Sequence, residues 1–285
     1  MHKIIDPHLH LFNLQQGNYA WLKPQNPPFW PDKQLINKHF IEADISLQPP
    51  NQLSGFVHIE AGFDNQQPWR EIDWLQQLCI VPFKSVAFAD ITSTIFAAQL
   101  DQLKQYKSVV GIRYILDQQA EQILRCELTH RHFTLLEDYE FSFDAQLSLT
   151  DVQATAQLVN LASKHKTLRV IINHAGWPPA YNDVNGQKKW KLNLQTLAQC
   201  ENIAIKLSGW EMSNRHWQPL QAVRVIQECL ATLGDKRVML ASNFPLCLFS
   251  MSYTNLWNTY AALPEITEQC FEKISFSNAA HWYNF

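Results

Sequence analysis

Residues 4–12 read Ile-Ile-Asp-Pro-His-Leu-His-Leu-Phe, and the fold turns on whether this run is a strand or a helix. Alternate side chains of a strand share a face, so His8 and His10 would converge there. Two positions apart on a helix, they would diverge. The apolar surroundings favour the strand, with Pro7 suited to a strand start, a bulge or an edge. Thr129-His130-Arg131-His132 repeats the spacing inside a helical stretch with charged neighbours, so His130 and His132 are expected on the surface. His39, His165, His216 and His281 fall in helices or loops and receive the same reading.

Seven further runs share the buried-strand signature of the first, read over 3–10: residues 55–61, 85–91, 109–115, 141–147, 168–175, 203–209 and 237–244. Helical periodicity fills the intervals. Pro68 opens one helix, with Trp69, Ile72, Leu75 and Leu78 as its apolar stripe. Thr150 or Asp151 caps another that runs to about Lys166. A third spans 218–233, carries Val223, Ile226, Leu230 and Leu233 on one face, and stops at Gly234. Strand alternating with helix eight times predicts a single-domain (β/α)8 TIM barrel over residues 1–285. An open doubly wound sheet is the rival, but no Gly-x-Gly-x-x-Gly or P-loop accompanies the strands. Two Pro- and Trp-rich stretches, 13–40 after strand 1 and 177–190 after strand 6, predict long loops over the barrel mouth.

Composition excludes several functions. The chain is 46% hydrophobic and 17% charged with a net charge of −3, and its lysines and arginines are scattered. That argues against a nucleic-acid or acidic-membrane partner and for a small-molecule substrate. The first residues lack a signal peptide's apolar stretch, and no run is long enough to span a bilayer. Six dispersed cysteines without Cys-x-x-Cys fit reduced thiols, so a cytoplasmic location is expected.

Polar groups recur where the strands end: His8 and His10, His58 and Glu60, Asp90, Arg113, Asp144 and Gln146, His174, Lys206, Asn243. Any one of these could cap the barrel as a structural hydrogen-bonding group. A polar residue at every strand end is how barrel active sites are built. Trp21, Trp177 and Trp210 are candidate walls of the pocket.

Asp6-Pro-His-Leu-His-Leu-Phe12 resembles the Asp-x-His-x-His opening strand of the amidohydrolase superfamily. Tyr19-Ala-Trp-Leu, Gly111-Ile-Arg-Tyr-Ile-Leu-Asp, Phe143-Asp-Ala-Gln-Leu, Ile172-Asn-His-Ala-Gly-Trp-Pro, Lys206-Leu-Ser-Gly-Trp, Ser242-Asn-Phe-Pro and Ser277-Asn-Ala-Ala-His-Trp-Tyr resemble, in order, its "amidohydrolase 2" branch of sugar lactonases and pyrone-dicarboxylate lactonases. The resemblance implies a site around His8, His10 and His174. In metal-using members such histidines bind a divalent ion, often zinc; other members of the branch work without metal. It also implies that Arg113 holds a substrate carboxylate or lactone oxygen, with Gln146 and Lys206 at the pocket. Position 243 departs from the pattern, carrying Asn where the superfamily has Asp. An amide does not accept a proton near neutral pH. Glu60 and Asp144 are therefore candidate replacement bases, with Asn243 positioning the water and His174 beside it. The expected activity is opening of a lactone or cyclic ester by water. The alternatives are metal-dependent decarboxylation of an aromatic acid, distinguished by release of carbon dioxide, and a non-catalytic metabolite-binding barrel, distinguished by a ligand that is never turned over.

Overall fold

Each of the eight runs overlaps a strand, and in the computed structural model, which describes residues 1–285, all eight pair in parallel and in sequence order. The strands are β1 (His2–Leu9), β2 (Asn51–Ile59), β3 (Phe83–Phe88), β4 (Val109–Ile115), β5 (Ser142–Gln146), β6 (Val170–Ile172), β7 (Ile203–Leu207) and β8 (Val238–Leu240). The barrel closes at its upper rim, where the Asn243 N–H donates to His8 O at 2.8 Å and the His10 N–H donates to Phe244 O at 2.7 Å. Pro7 sits at a register shift between Asp6 and Leu9, where no ladder hydrogen bond is asked of it.

Helices α1 (Trp69–Leu78), α2 (Phe96–Leu103), α3 (Ala120–Arg125), α4 (Glu127–Asp138), α5 (Val152–Lys164), α6 (Val184–Ala198), α7 (Trp210–Ser213) and α8 (Pro219–Leu233) follow successive strands. Asp151 caps α5 by accepting from the Ala154 N–H at 3.0 Å. The chain continues through α9 (Tyr253–Ala261), α10 (Glu268–Glu272) and α11 (Asn278–Trp282). Ile5, Val57, Ile59, Val86, Val110, Ile171, Ala204 and Met239 form one cluster with Ala279, Trp282 and Tyr283. Residues from so many strands meet only in the lumen, so the C-terminal segment contributes to the core inside the barrel. No helix is long and apolar enough to cross a membrane.

The loop after β6 is shorter than the sequence suggests. Val184 to Trp190 form the first turns of α6, because Asp183 accepts from the Gly186 N–H at 2.9 Å as an N-cap. Asp183 and Gly186 are common turn residues, but here they start a helix. His132 also differs from expectation: it is buried in α4, with Nδ1 donating to Ile91 O at 2.8 Å and its ring 4.4 Å from that of Phe96. Its charged neighbours belong to the opposite face.

The loop after β1 is organised by a buried cation. Lys33 Nζ donates to Trp21 O, Lys23 O and Asn26 O at 2.9, 3.2 and 2.8 Å. Arg215 joins the same loop to the loops after β7 and β8: its Nε donates to Asp32 Oδ2 at 2.7 Å, and its guanidinium lies 4.0 Å from the Phe249 ring centroid. Lys33→Met leaves three carbonyls without their donor and is expected to cost about 2–4 kcal/mol. Urea denaturation and limited proteolysis of residues 20–33 measure it; an unchanged midpoint and cleavage pattern would show that the ammonium is dispensable.

Candidate active site

Three histidines meet at the upper rim through three different backbone devices. His8 follows the β1 bulge, which Asp6 secures: its Oδ1 accepts from the His8 and Ser242 N–H groups, both at 3.1 Å. Burial raises the Asp6 carboxyl to about 6 against those hydrogen bonds. His10 lies just past β1, and its Nδ1 is 2.8 Å from Ile59 O. A carbonyl only accepts, so Nδ1 carries the proton and Nε2 keeps its lone pair.

His174 stands on a left-handed turn: φ is 54° at His174, 52° at Ala175, 64° at Gly176 and 54° at Trp177. Left-handed backbone costs roughly 1–2 kcal/mol per non-glycine residue. The turn is held from outside: the Trp190 indole donates to Ala175 O at 2.8 Å, and the Leu149 N–H donates to Gly176 O at 2.9 Å. A side chain at Gly176 would lie 2.2 Å from Leu149 Cγ, and one at Gly209 would lie 2.9 Å from His174 Nδ1. Both close approaches need glycine. Ser208 Oγ is 3.1 Å from His174 Nδ1, and the Trp177 ring lies over the imidazole at 4.6 Å.

The His8 ring centroid is 5.1 Å from that of His10 and 4.6 Å from that of His174. Burial holds all three imidazoles well below the usual histidine range; the charge of Arg113 pushes all three the same way, and that of Lys206 pushes His8 and His174. They are therefore neutral near pH 7. Both ring nitrogens of the buried His8 lack a hydrogen-bond partner.

These features test whether a metal ion suits the site. Imidazoles bound to one tetrahedral zinc at about 2.0–2.1 Å would set their ring centroids about 5 Å apart. The spacing of His8 to its two neighbours, their neutrality, and the orphaned His8 nitrogens fit such an ion. As the side chains stand, no three His, Cys, Asp or Glu groups converge on a common point. The donors fit a single ion, with side-chain adjustment needed to bind it.

The remaining sequence candidates separate into different environments. Arg113, 7% exposed, donates from Nε to Glu60 Oε1 and from Nη2 to Glu60 O, both at 2.8 Å. Glu60 is thus engaged by a guanidinium. Asp144 lies in the lumen, ion-paired to Lys206 and accepting from Tyr283 Oη at 3.0 Å. Lys206 Nζ also donates to Pro7 O at 3.2 Å. Burial pulls Lys206 down to about 8 against its attraction to Asp144. Gln146 is half-buried, 3.4 Å from the Asp117 carboxylate. Trp21 donates its indole N–H to Ala61 O at 2.8 Å, and Trp210 donates to Tyr260 Oη at 2.7 Å. His58 faces Glu71 of α1 at 3.8 Å and is pushed down to about 3 by burial.

Asn243, at φ 57°, donates from Nδ2 to Glu211 Oε1 at 2.5 Å. Glu211 is 2% exposed and is raised by burial to about 7, opposed by that hydrogen bond. It was not among the sequence candidates. The signal available was its place in Lys206-Leu-Ser-Gly-Trp-Glu211, just after a strand that carries a buried lysine.

A parallel (β/α)8 barrel with histidines, an arginine and buried carboxyls at and just beyond the C-terminal ends of its strands has the architecture of a barrel enzyme. The chain belongs to the amidohydrolase family, whose profile matches residues 5–285. It is similar to the Sinorhizobium fredii protein y4mH, at 30% identity with 90% of each chain covered. It is also similar to an L-fucono-1,5-lactonase of Burkholderia ambifaria, at 22% identity over 95% of each chain. A crystal structure of a Burkholderia multivorans amidohydrolase with bound zinc superposes with a TM-score of 0.79, at 16% identity over 99% of each chain. That last likeness shows the fold. Family membership and the lactonase relative support a hydrolase.

Proposed function

We propose that this protein is a hydrolase that opens a lactone or cyclic ester of a sugar acid or carboxylated ring. The observation that carries the proposal is the cluster of His8, His10, His174 and Arg113 at the barrel mouth in a chain similar to L-fucono-1,5-lactonase over nearly its whole length. Arg113 binds the carbonyl or carboxylate oxygen of the substrate, because two of its nitrogens are already fixed by Glu60 and Nη1 remains to donate. Trp177, half-buried over His174, forms part of the wall that excludes bulk water. Asn243 orients the water. Glu60 and Asp144, neutralised by Arg113 and Lys206, hold those cations in place.

His8, His10 and His174 would hold one divalent ion, zinc first, as the Burkholderia multivorans structure does contain zinc. When bound, such an ion acidifies water and polarises an ester carbonyl. The partner in this reading is a small molecule.

Hydrolysis of a panel of five- and six-membered sugar-acid lactones, followed by proton release, tests the proposal. Turnover of at least one lactone is expected, lost on chelation and restored by zinc or manganese. Turnover that survives chelation would remove the ion from the proposal and keep the hydrolase. Failure on every lactone with and without metal, or carbon dioxide release from an aromatic acid instead, would overturn it.

A further inference from the structure

Position 243 carries an amide where the amidohydrolase pattern has a carboxylate, and a carboxylate stands one hydrogen bond away. Asn243 Nδ2 donates to Glu211 Oε1 at 2.5 Å, and both residues are 2% exposed. The Asn243 backbone N–H is fixed on His8 O at 2.8 Å, which ties this position to the strand that carries His8. Glu211 lies two residues beyond Gly209, whose backbone packs against the His174 ring. The Asn243 backbone therefore borders His8, and Gly209, two residues before Glu211, borders His174.

The neighbouring carboxyls are committed elsewhere. Glu60 and Asp144 are paired with Arg113 and Lys206, and Asp6 accepts two backbone N–H groups. Glu211 meets a neutral amide. Around it, Arg215 donates from Nη1 to the Glu211 carbonyl oxygen at 2.5 Å, and its charge favours the ionised carboxyl. Cys247 and Tyr260 feel the Glu211 charge and are held protonated, chiefly by burial. Because Nδ2 is turned to Glu211, the amide presents Oδ1 as its remaining polar atom.

Resting on the lactonase reading, we propose that Glu211 and Asn243 act as one unit in place of the missing aspartate: Asn243 binds the attacking water through Oδ1, and Glu211 takes the proton that this water gives up. As the water oxygen bonds to the lactone carbonyl carbon, one O–H bond breaks and its proton passes to the Glu211 carboxylate. The carbonyl π pair moves onto oxygen. Collapse of the tetrahedral adduct re-forms C=O and breaks the ring C–O bond, and Glu211 returns its proton to the departing ring oxygen. The product is the open hydroxy acid, and the carboxylate is regenerated. A Glu211 carboxyl that titrates near neutral pH suits both halves of this cycle.

Four proteins test the proposal: wild type, Glu211→Gln, Asn243→Asp and the double variant Glu211→Gln/Asn243→Asp. The amide oxygen that Glu211→Gln introduces can still accept from Asn243, so the fold is expected to persist, as checked by the melting temperature. With any lactone that wild type opens, Glu211→Gln lowers kcat about 100-fold or more with KM nearly unchanged. The double variant, which moves the carboxylate from 211 to 243, regains at least tenfold over Glu211→Gln. A packing role would not produce that rescue. A kcat for Glu211→Gln within threefold of wild type, or no rescue, overturns the proposal. A second readout needs no substrate: the infrared carboxyl band lost in the wild type minus Glu211→Gln difference spectrum titrates between pH 6 and 8. A band that stays protonated at pH 9, or ionised at pH 5, overturns the proposal even where no lactone is a substrate. Absence of lactone turnover in all four proteins overturns the lactonase reading instead.

Discussion

Replacing Asp144 by Ala is expected to cost about 3–5 kcal/mol of stability, among the largest effects a single change can have here. Asp144 and Lys206 are both 0% exposed, so the variant strands an ammonium in the lumen with Pro7 O as its remaining hydrogen-bond acceptor. Tyr283 would lose its acceptor as well. Removing both charges together, as Asp144→Leu with Lys206→Met, is expected to restore most of the loss, because the desolvation cost of the pair disappears with its attraction. The pH dependence has a definite sign. The folded Lys206 titrates at about 8, below the unfolded value of about 10.4, so between these limits the unfolded state binds more protons and stability rises with pH. Without Asp144 the folded value falls further, and the window extends to lower pH. The deficit of Asp144→Ala should therefore shrink from pH 6 to pH 9 in guanidinium unfolding measurements. An equal deficit at both values would mean that the stranded charge is not its source.

The barrel was legible because its information is local. Each strand announces itself by a run of β-branched and aromatic residues, and the helices by apolar stripes and caps such as Asp151 and Gly234. The strand ends differ from the sequence runs for a physical reason: β6 stops at Ile172 and β8 at Leu240, although the runs extend to 175 and 244. There the chain leaves the ladder to place His174 and Asn243, both at positive φ, and composition does not encode that departure. What the sequence hid were pairings across long separations. Glu60 and Asp144 look like free bases until Arg113 and Lys206 are seen beside them. Glu211 looks like an ordinary helix residue until Asn243 is found against it. His132 was misjudged because its helix is charged on one face and buried on the other.

Arg113→Lys tests whether the fork, and not merely the charge, serves the substrate, and a fall of about 100-fold in kcat/KM is expected on a lactone that wild type opens. That corresponds to about 2.7 kcal/mol, the scale of a lost hydrogen bond from a charged donor in a water-poor site. The guanidinium spends Nε and Nη2 on Glu60 and keeps Nη1 for an oxygen of the substrate. A lysine ammonium is a single point on a flexible stem, so it can pair with Glu60 or reach the substrate but does not hold both in one plane. The loss could instead arise from a Glu60 left poorly paired, since its side chain is 6% exposed. Adding Glu60→Gln to the Lys variant separates the two causes. If kcat/KM stays low while the melting temperature recovers, the missing fork is responsible. If activity returns with Glu60 neutralised, the carboxylate was the problem, and Arg113 serves the site by restraining Glu60. Activity of the single Lys variant within threefold of wild type would remove Arg113 from substrate recognition altogether.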